Sequence, residues 1–207
     1  MIFDIGANVG NWALANINKT NTIVCVEASP YTYPELLENT KLYNNIICIP
    51  YVVSDSKNDT IEFYDCRIFG GGLSTIDKEW LCSTKSRFYG QQINAILNIK
   101  TISLDSLIEI YGMPELIKID VEGAEESVIN SLSQKVNLLC FEWASEWRDS
   151  LKRCIDKLTQ LGFTRFYIQN GDMYDFRPSE LNITADMCKN ILDNSIDKVD
   201  WGMIWAV

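Results

Sequence analysis

Two stretches of this 207-residue chain hold residue types at spacings that can do chemistry. The first is Asp4-Ile5-Gly6-Ala7-Asn8-Val9-Gly10-Asn11, an apolar run that ends in a glycine-bearing turn ahead of an amphipathic stretch. A strand, a glycine turn and a helix N-terminus let a ligand approach bare backbone, and in open α/β sheets the ligand crevice lies at the carboxyl ends of the strands. Glu27 closes the next apolar run, in Val26-Glu27-Ala28, where a carboxylate can accept two hydrogen bonds from ribose hydroxyls. The second stretch is Leu116-Ile117-Lys118-Ile119-Asp120-Val121-Glu122-Gly123-Ala124-Glu125-Glu126. Asp120 and Glu122 gather at the crevice edge of a strand, and Glu142 closes the following apolar run. Lys118 is a charged amine in a run expected to be buried on both faces, so it needs a partner; alternation puts it on the same face as Asp120. A structural ion pair and a catalytic role are both open to it. Glu125 and Glu126 fall in a helix first turn, where facing the macrodipole explains both.

The chain has no histidine. That removes the commonest general base, the commonest metal ligand and every Ser-His or Cys-His nucleophile pair, and leaves acid and base work to Asp, Glu, Lys, Tyr or Cys. Eighteen Lys plus Arg against 28 Asp plus Glu give a formal charge of −10. With no basic run, this argues against nucleic acid, whose binding needs cations to displace phosphate counterions. The seven cysteines are odd in number and hold no CxxC pair, which fits free buried thiols in a reducing compartment. No apolar stretch reaches the ~20 residues that span a bilayer, and the chain does not open on a signal sequence. The expectation is a cytoplasmic protein with no membrane partner. Its oligomeric state is not set by these features.

The elements that must position those residues follow from the rhythm of the sequence. Short apolar runs alternate with amphipathic stretches, as in a parallel sheet covered by helices. Strands are expected at 1–5, 22–26, 46–53, 116–120 and 136–142, with helices at 12–17, 35–43, 105–111, 124–132 and 149–161. Pro34 suits a helix first turn, and Pro50 pushes the third strand towards an edge. After Gly162, runs at 163–169 and 201–207 flank a polar insertion with no helix of good periodicity, which suggests an antiparallel pair. Residues 54–104 break the rhythm: 60–64 alternates like an exposed strand, Gly70, Gly71 and Gly72 form a flexible tract, and 80–98 has no clear period. A connection of that length is usually functional. The expected fold is a single α/β domain over 1–207, doubly wound and mostly parallel, with an antiparallel C-terminal strand pair and 54–104 as an inserted lid or substrate-pocket segment.

The order Phe3-Asp4-Ile5-Gly6-Ala7-Asn8-Val9-Gly10, Val26-Glu27-Ala28, Val53-Ser54-Asp55, Ile102-Ser103-Leu104-Asp105-Ser106-Leu107 and Ile117 to Glu125 resembles the FkbM-type methyltransferases. These are enzymes of the class I, Rossmann-like fold that depend on S-adenosylmethionine (SAM) and mostly methylate hydroxyl oxygens of sugars and small molecules. The resemblance implies that Asp4, Gly6, Ala7, Asn8, Gly10, Glu27 and Ala28 hold SAM and that Asp55 lies near its adenine. Only three residues precede Asp4, where family members usually carry more that help cover the site. Either 54–104 supplies the cover or the chain is a piece of something longer.

Methyl transfer to oxygen is an in-line displacement that positioning serves, and the hydroxyl must lose its proton. The candidate catalytic residues are Asp120, Glu122, Glu142 and Lys118, the lysine only if burial lowers its pKa; Asp120 and Glu142 are preferred. The same oxygen set suits Mg²⁺ or Ca²⁺, but a metal-free site is the favoured reading. Phe69, Trp80, Phe88, Tyr89, Trp143 and Trp147 are candidates to stack on a sugar, with core packing as the simpler role for most. Three rivals remain: a SAM-binding module without catalysis, a cofactor-free glycan-binding protein, and a nicotinamide oxidoreductase. The last would need glycines at positions 8 and 11, and both are Asn.

Overall fold

The computed structural model describes residues 1–66, 73–84, 86, 89–194 and 200–207. The glycine tract at 70–72 and the candidates Phe69 and Phe88 lie outside these residues. Among the described residues the chain runs β1 (Ile2–Ile5), α1 (Asn11–Asn16), β2 (Ile23–Val26), α2 (Tyr33–Thr40), β3 (Ile46–Ile49), β4 (Val52–Val53), β5 (Thr60–Asp65), α3 (Lys78–Cys82) and β6 (Ala95–Ile102). It continues through α4 (Leu104–Tyr111), β7 (Leu116–Ile119), α5 (Glu125–Asn130), β8 (Leu139–Ala144), α6 (Arg148–Gln160), β9 (Phe166–Asn170), α7 (Ala185–Asn194) and β10 (Trp201–Ala206).

Seven strands form one sheet in the order β3-β2-β1-β7-β8-β10-β9. Neighbours from β3 to β8 are parallel, and β10 is antiparallel to both β8 and β9. This is the doubly wound, mostly parallel sheet with an antiparallel C-terminal pair that the rhythm implies. Alternation sorts each strand between two cores. Phe3, Ile5, Ile117, Ile119 and Phe141 pack with α4 to α7, whereas Ile2, Cys25, Leu116, Cys140 and Trp205 pack with Trp12 of α1 and Leu36 of α2. Burying each large apolar side chain contributes about 1.5–3 kcal/mol. The order reverses between β1 and β7, so the loops after these strands open the crevice at the topological switch point.

Four expectations need correction. The run at 46–53 is two strands: β3 pairs with β2 at the sheet edge, and β4 pairs with β6. They part at Pro50, which has no N–H to continue a ladder. Residues 54–104 hold β5, α3 and β6, and the two strands join β4 in a three-stranded sheet, β4-β6-β5. The strand β6 escapes notice because its outward row mixes Ile96, 57% exposed, with Asn98 and Lys100. The strand expected at 136–142 is β8, shifted to Leu139–Ala144, which places Glu142 within the strand instead of at its end. The polar insertion contains α7, anchored by buried Cys188 and Leu192.

Candidate functional site

The turn after β1 is built from left-handed residues: φ is +75° at Gly6, 49° at Asn8 and 92° at Gly10. A Cβ on Gly6 would overlap the carbonyl oxygen of Asp120, so only glycine lets the loops after β1 and β7 meet. The Asp120 N–H donates to the Ile5 carbonyl at 3.0 Å and closes this junction. Glu27, just past β2, is 8% exposed, and both of its oxygens are engaged. Oε2 accepts from the Asn8 N–H at 2.9 Å and Oε1 from the Ser29 N–H at 2.8 Å. Burial raises its pKa and those two backbone donors oppose the rise.

A cleft of about 710 Å³, open mouth included, is lined by Gly6, Asn8, Glu27, Ala28, Asp120 and Glu122. Six candidate residues do not line it. Asp4 is fully buried beneath it, Ala7 packs among the apolar side chains on the α1 face, and Gly10 caps α1. Asp55 accepts from the Ser127 hydroxyl at 2.7 Å and ties the loop after β4 to α5. The other two are Lys118 and Glu142. The opposite wall comes from residues that sequence reasoning missed: Tyr51, Val53, Phe63, Ser74, Thr75 and Ile76. No local pattern marks them, since the small sheet brings them there. Thr75 pairs with Tyr64 of β5, and the Ser74 hydroxyl accepts from the Cys66 N–H.

Lys118 lies between two carboxylates, with Nζ 3.3 Å from Asp4 Oδ1 and 3.2 Å from Asp120 Oδ2, and it donates to the Gly6 carbonyl at 3.2 Å. Burial alone would lower its pKa, but Asp120, Asp4 and Asp172 outweigh burial and raise it. The expected route to a neutral lysine base therefore fails: its neighbours hold the ammonium form. Asp172, in the loop after β9, is a further missed member of this group, and burial pushes it up to about 6.

Asp120, Glu122 and Glu142 bring carboxylate oxygens within 4.8 Å of one another, an arrangement that could hold a hard cation. Burial raises Glu142 well above the carboxylate range, reinforced by Glu122 and Asp120. Glu122 adopts φ 55° and Gly123 φ 94°. Gly123 leaves no room for a side chain, because a Cβ there would come within 2.8 Å of the Trp80 ring.

The helix-dipole reading of Glu125 and Glu126 changes as well. Glu126 forms a two-pronged pair with Arg153 at 2.6 and 2.7 Å and clamps α5 to α6. Glu125 is 6% exposed and accepts from the Val121 and Gly123 N–H groups, shaping the acidic loop. Burial pushes it up to about 7. A raised folded pKa means that the folded state holds the proton more tightly, so stability falls as pH rises from the ordinary carboxyl range to about 7. Glu125→Gln keeps an acceptor for both N–H groups and removes the charge. It is expected to melt above the parent at pH 8, by on the order of 2–3 kcal/mol in stability, and to match it near pH 4. Equal melting at both pH values would refute this.

The aromatic candidates separate too. Trp143 is core and donates to the Gln169 carbonyl at 3.0 Å, and Tyr89 is 60% exposed. Trp80 and Trp147 pack together with ring centroids 5.4 Å apart. No helix among the described residues is long and apolar enough to cross a membrane.

A family model described as the methyltransferase FkbM domain matches residues 4–165. The hexuronic acid methyltransferase AglP of Haloferax volcanii is 29% identical over 148 residues, which cover 69% of this chain and 55% of that protein. The chain thus spans about half the length of this curated relative. Among solved structures, a precorrin-6y C5,15-methyltransferase from Geobacter metallireducens aligns over 100% of this chain and 78% of its own, at 10% identity and a TM-score of 0.49. Fibrillarin from Aeropyrum pernix, in complex with SAM, aligns over 100% and 65%, at 14% identity and a TM-score of 0.47.

Proposed function

The chain belongs to the FkbM methyltransferase family, and on that premise we propose that it is a SAM-dependent O-methyltransferase acting on a hydroxyl of a sugar, glycan or small molecule. The observation that carries the cofactor is Glu27, whose two oxygens are fixed from behind by backbone N–H groups while the side chain lines the cleft. Each carboxylate oxygen has a second lone pair, so a vicinal diol can bind without displacing either backbone donor. Asn8 Oδ1, buried and without a hydrogen-bond partner in a residue that lines the cleft, offers a further acceptor. Gly6, Asn8, Glu27 and Ala28 would hold the nucleoside end, with Tyr51, Val53 and Phe63 as the apolar wall. Bound SAM supplies an electrophilic methyl group on a positively charged sulfur.

The protein's part is to position the acceptor and take up its proton. Asp120 lines the cleft, is 27% exposed, and is oriented by the Lys118 ammonium. The hydroxyl proton passes to Asp120. The wall from 54–104 serves to exclude water from the reacting groups. A sugar acceptor is supported by the hexuronic acid named for the Haloferax relative. The seven free cysteines, five of them buried, support a reducing, cytoplasmic setting.

Calorimetric titration with SAM and S-adenosylhomocysteine (SAH) tests this. The parent is expected to bind both, and Glu27→Ala to bind them about 1.5–3 kcal/mol more weakly, the scale of hydrogen bonds to a charged group. Asp120→Asn is expected to keep SAH affinity within a few-fold and lose turnover. Unchanged SAH affinity in a folded Glu27→Ala protein would refute the placement, and parental turnover in Asp120→Asn would refute the base.

A further inference from the structure

Resting on the methyltransferase reading, we propose that Asp65 is a positioning residue for the cofactor: through Ser29 it fixes the Glu27 carboxylate that receives the ribose hydroxyls. Asp65 is the last residue of β5, in the small sheet, and lies 36 residues from Ser29 in the chain. Both are 0% exposed. The Ser29 hydroxyl donates to Asp65 Oδ1 at 3.1 Å, and the Ser29 N–H donates to Glu27 Oε1 at 2.8 Å. The same hydroxyl oxygen accepts from the N–H groups of Tyr31 and Thr32, each at 3.3 Å.

A serine hydroxyl has one proton and two lone pairs, and at Ser29 all three are used. Because Asp65 takes the proton, both lone pairs stay turned towards Tyr31 and Thr32. Residues 29–32 thereby keep the bend that sets the Ser29 N–H on Glu27, one of the two backbone donors that fix this carboxylate from behind. Asp65 is itself firmly mounted. Its carbonyl accepts from the Asn94 N–H at 2.8 Å, and its backbone stands in register with Ala95 of β6. A carboxylate with no exposure is costly unless hydrogen bonds stabilise it, which makes a bond across two sheets an informative use for one. Glu27 follows β2 of the large sheet, whereas Asp65 closes β5 ahead of the wall residues Ser74, Thr75 and Ile76. The small sheet thus orders the group that grips the ribose as well as walling the cleft.

The test is calorimetric titration of the full chain with SAH, arranged as a double-mutant cycle. Asp65→Ala is expected to bind SAH about fivefold more weakly than the parent, the scale of one lost hydrogen bond. In a Glu27→Ala background the same change should alter affinity by less than about twofold, because no carboxylate is left to position. A merely structural role would weaken SAH equally in both backgrounds. Asp65→Asn, which keeps an oxygen for the Ser29 hydroxyl, should recover most of the loss. Where Asp65→Ala does not fold, as its melting curve shows, Ser29→Ala replaces it in the cycle: it removes the hydroxyl, keeps the N–H, and carries the same expected loss. The proposal is overturned if the folded alanine variant binds SAH like the parent, if its loss persists undiminished in the Glu27→Ala background, or if Asp65→Asn recovers nothing. Those outcomes leave the cofactor reading standing, whereas a parent that does not bind SAH overturns both.

Discussion

Lys118→Met is expected to cost about 3–5 kcal/mol of stability, the scale for removing one partner of a buried ion pair. The reason lies in Asp4, which is 0% exposed on a sheet face otherwise made of Ile2, Cys25, Leu116 and Cys140. Burial raises its pKa, and Lys118 is what opposes that rise. Without the ammonium, Asp4 must either stay charged in an apolar layer or take up a proton. The loss should therefore shrink as pH falls and Asp4 becomes neutral. Asp4→Asn in the same chain should recover part of it, which a double-mutant cycle by urea denaturation at pH 7.5 reads directly. A single variant that loses less than about 1 kcal/mol, the value of an exposed pair, would show that the bridge is not structural.

Gly6→Ala is expected to be comparably severe and to abolish SAH binding. The new Cβ would overlap the Asp120 carbonyl oxygen, so the junction made by the Asp120 N–H and the Ile5 carbonyl would have to open. The φ of +75° adds a further penalty. Together these should cost about 3 kcal/mol or more, from overpacking and backbone strain. Gly90→Ala is the control, because φ is +85° there and nothing among the described residues lies within 4 Å of the added Cβ. It should lose only about 1–2 kcal/mol, the conformational part alone. Chemical denaturation and SAH titration of both variants check this, and equal losses would show that the contact with Asp120 is unimportant.

Local features were legible where a residue's role depends on its neighbours in the chain. The Gly6 to Gly10 turn needs positive φ whatever surrounds it, and Glu27 stands where β2 meets its loop. The acids at Asp120 and Glu122 could be assigned to the crevice edge because the strand before them is a plain apolar run. The small sheet was not legible. Its wall residues Phe63, Ser74, Thr75 and Ile76 are spread over two strand-like segments, and β6, which supports them, presents Ile96 on its outward row.

The sequence by itself determined which groups are available: a glycine turn, an acidic crevice edge, one lysine in a buried strand, and no histidine. It also determined the alternation of strands and helices behind the large sheet, because hydrophobic period and turn chemistry are local. Only the tertiary structure decided what those groups are chemically. Lys118 stays an ammonium because β1 and β7 pair in register and set Asp4 beside it. Glu142 is held above the ordinary carboxylate range because β8 buries it and sets it against Glu122 and Asp120. Asp55 leaves the cleft for Ser127, and Trp147 reaches the acidic loop through Trp80. Each of these follows from distances between residues far apart in the chain, and electrostatic energy depends on such distances and on burial, neither of which residue order alone contains.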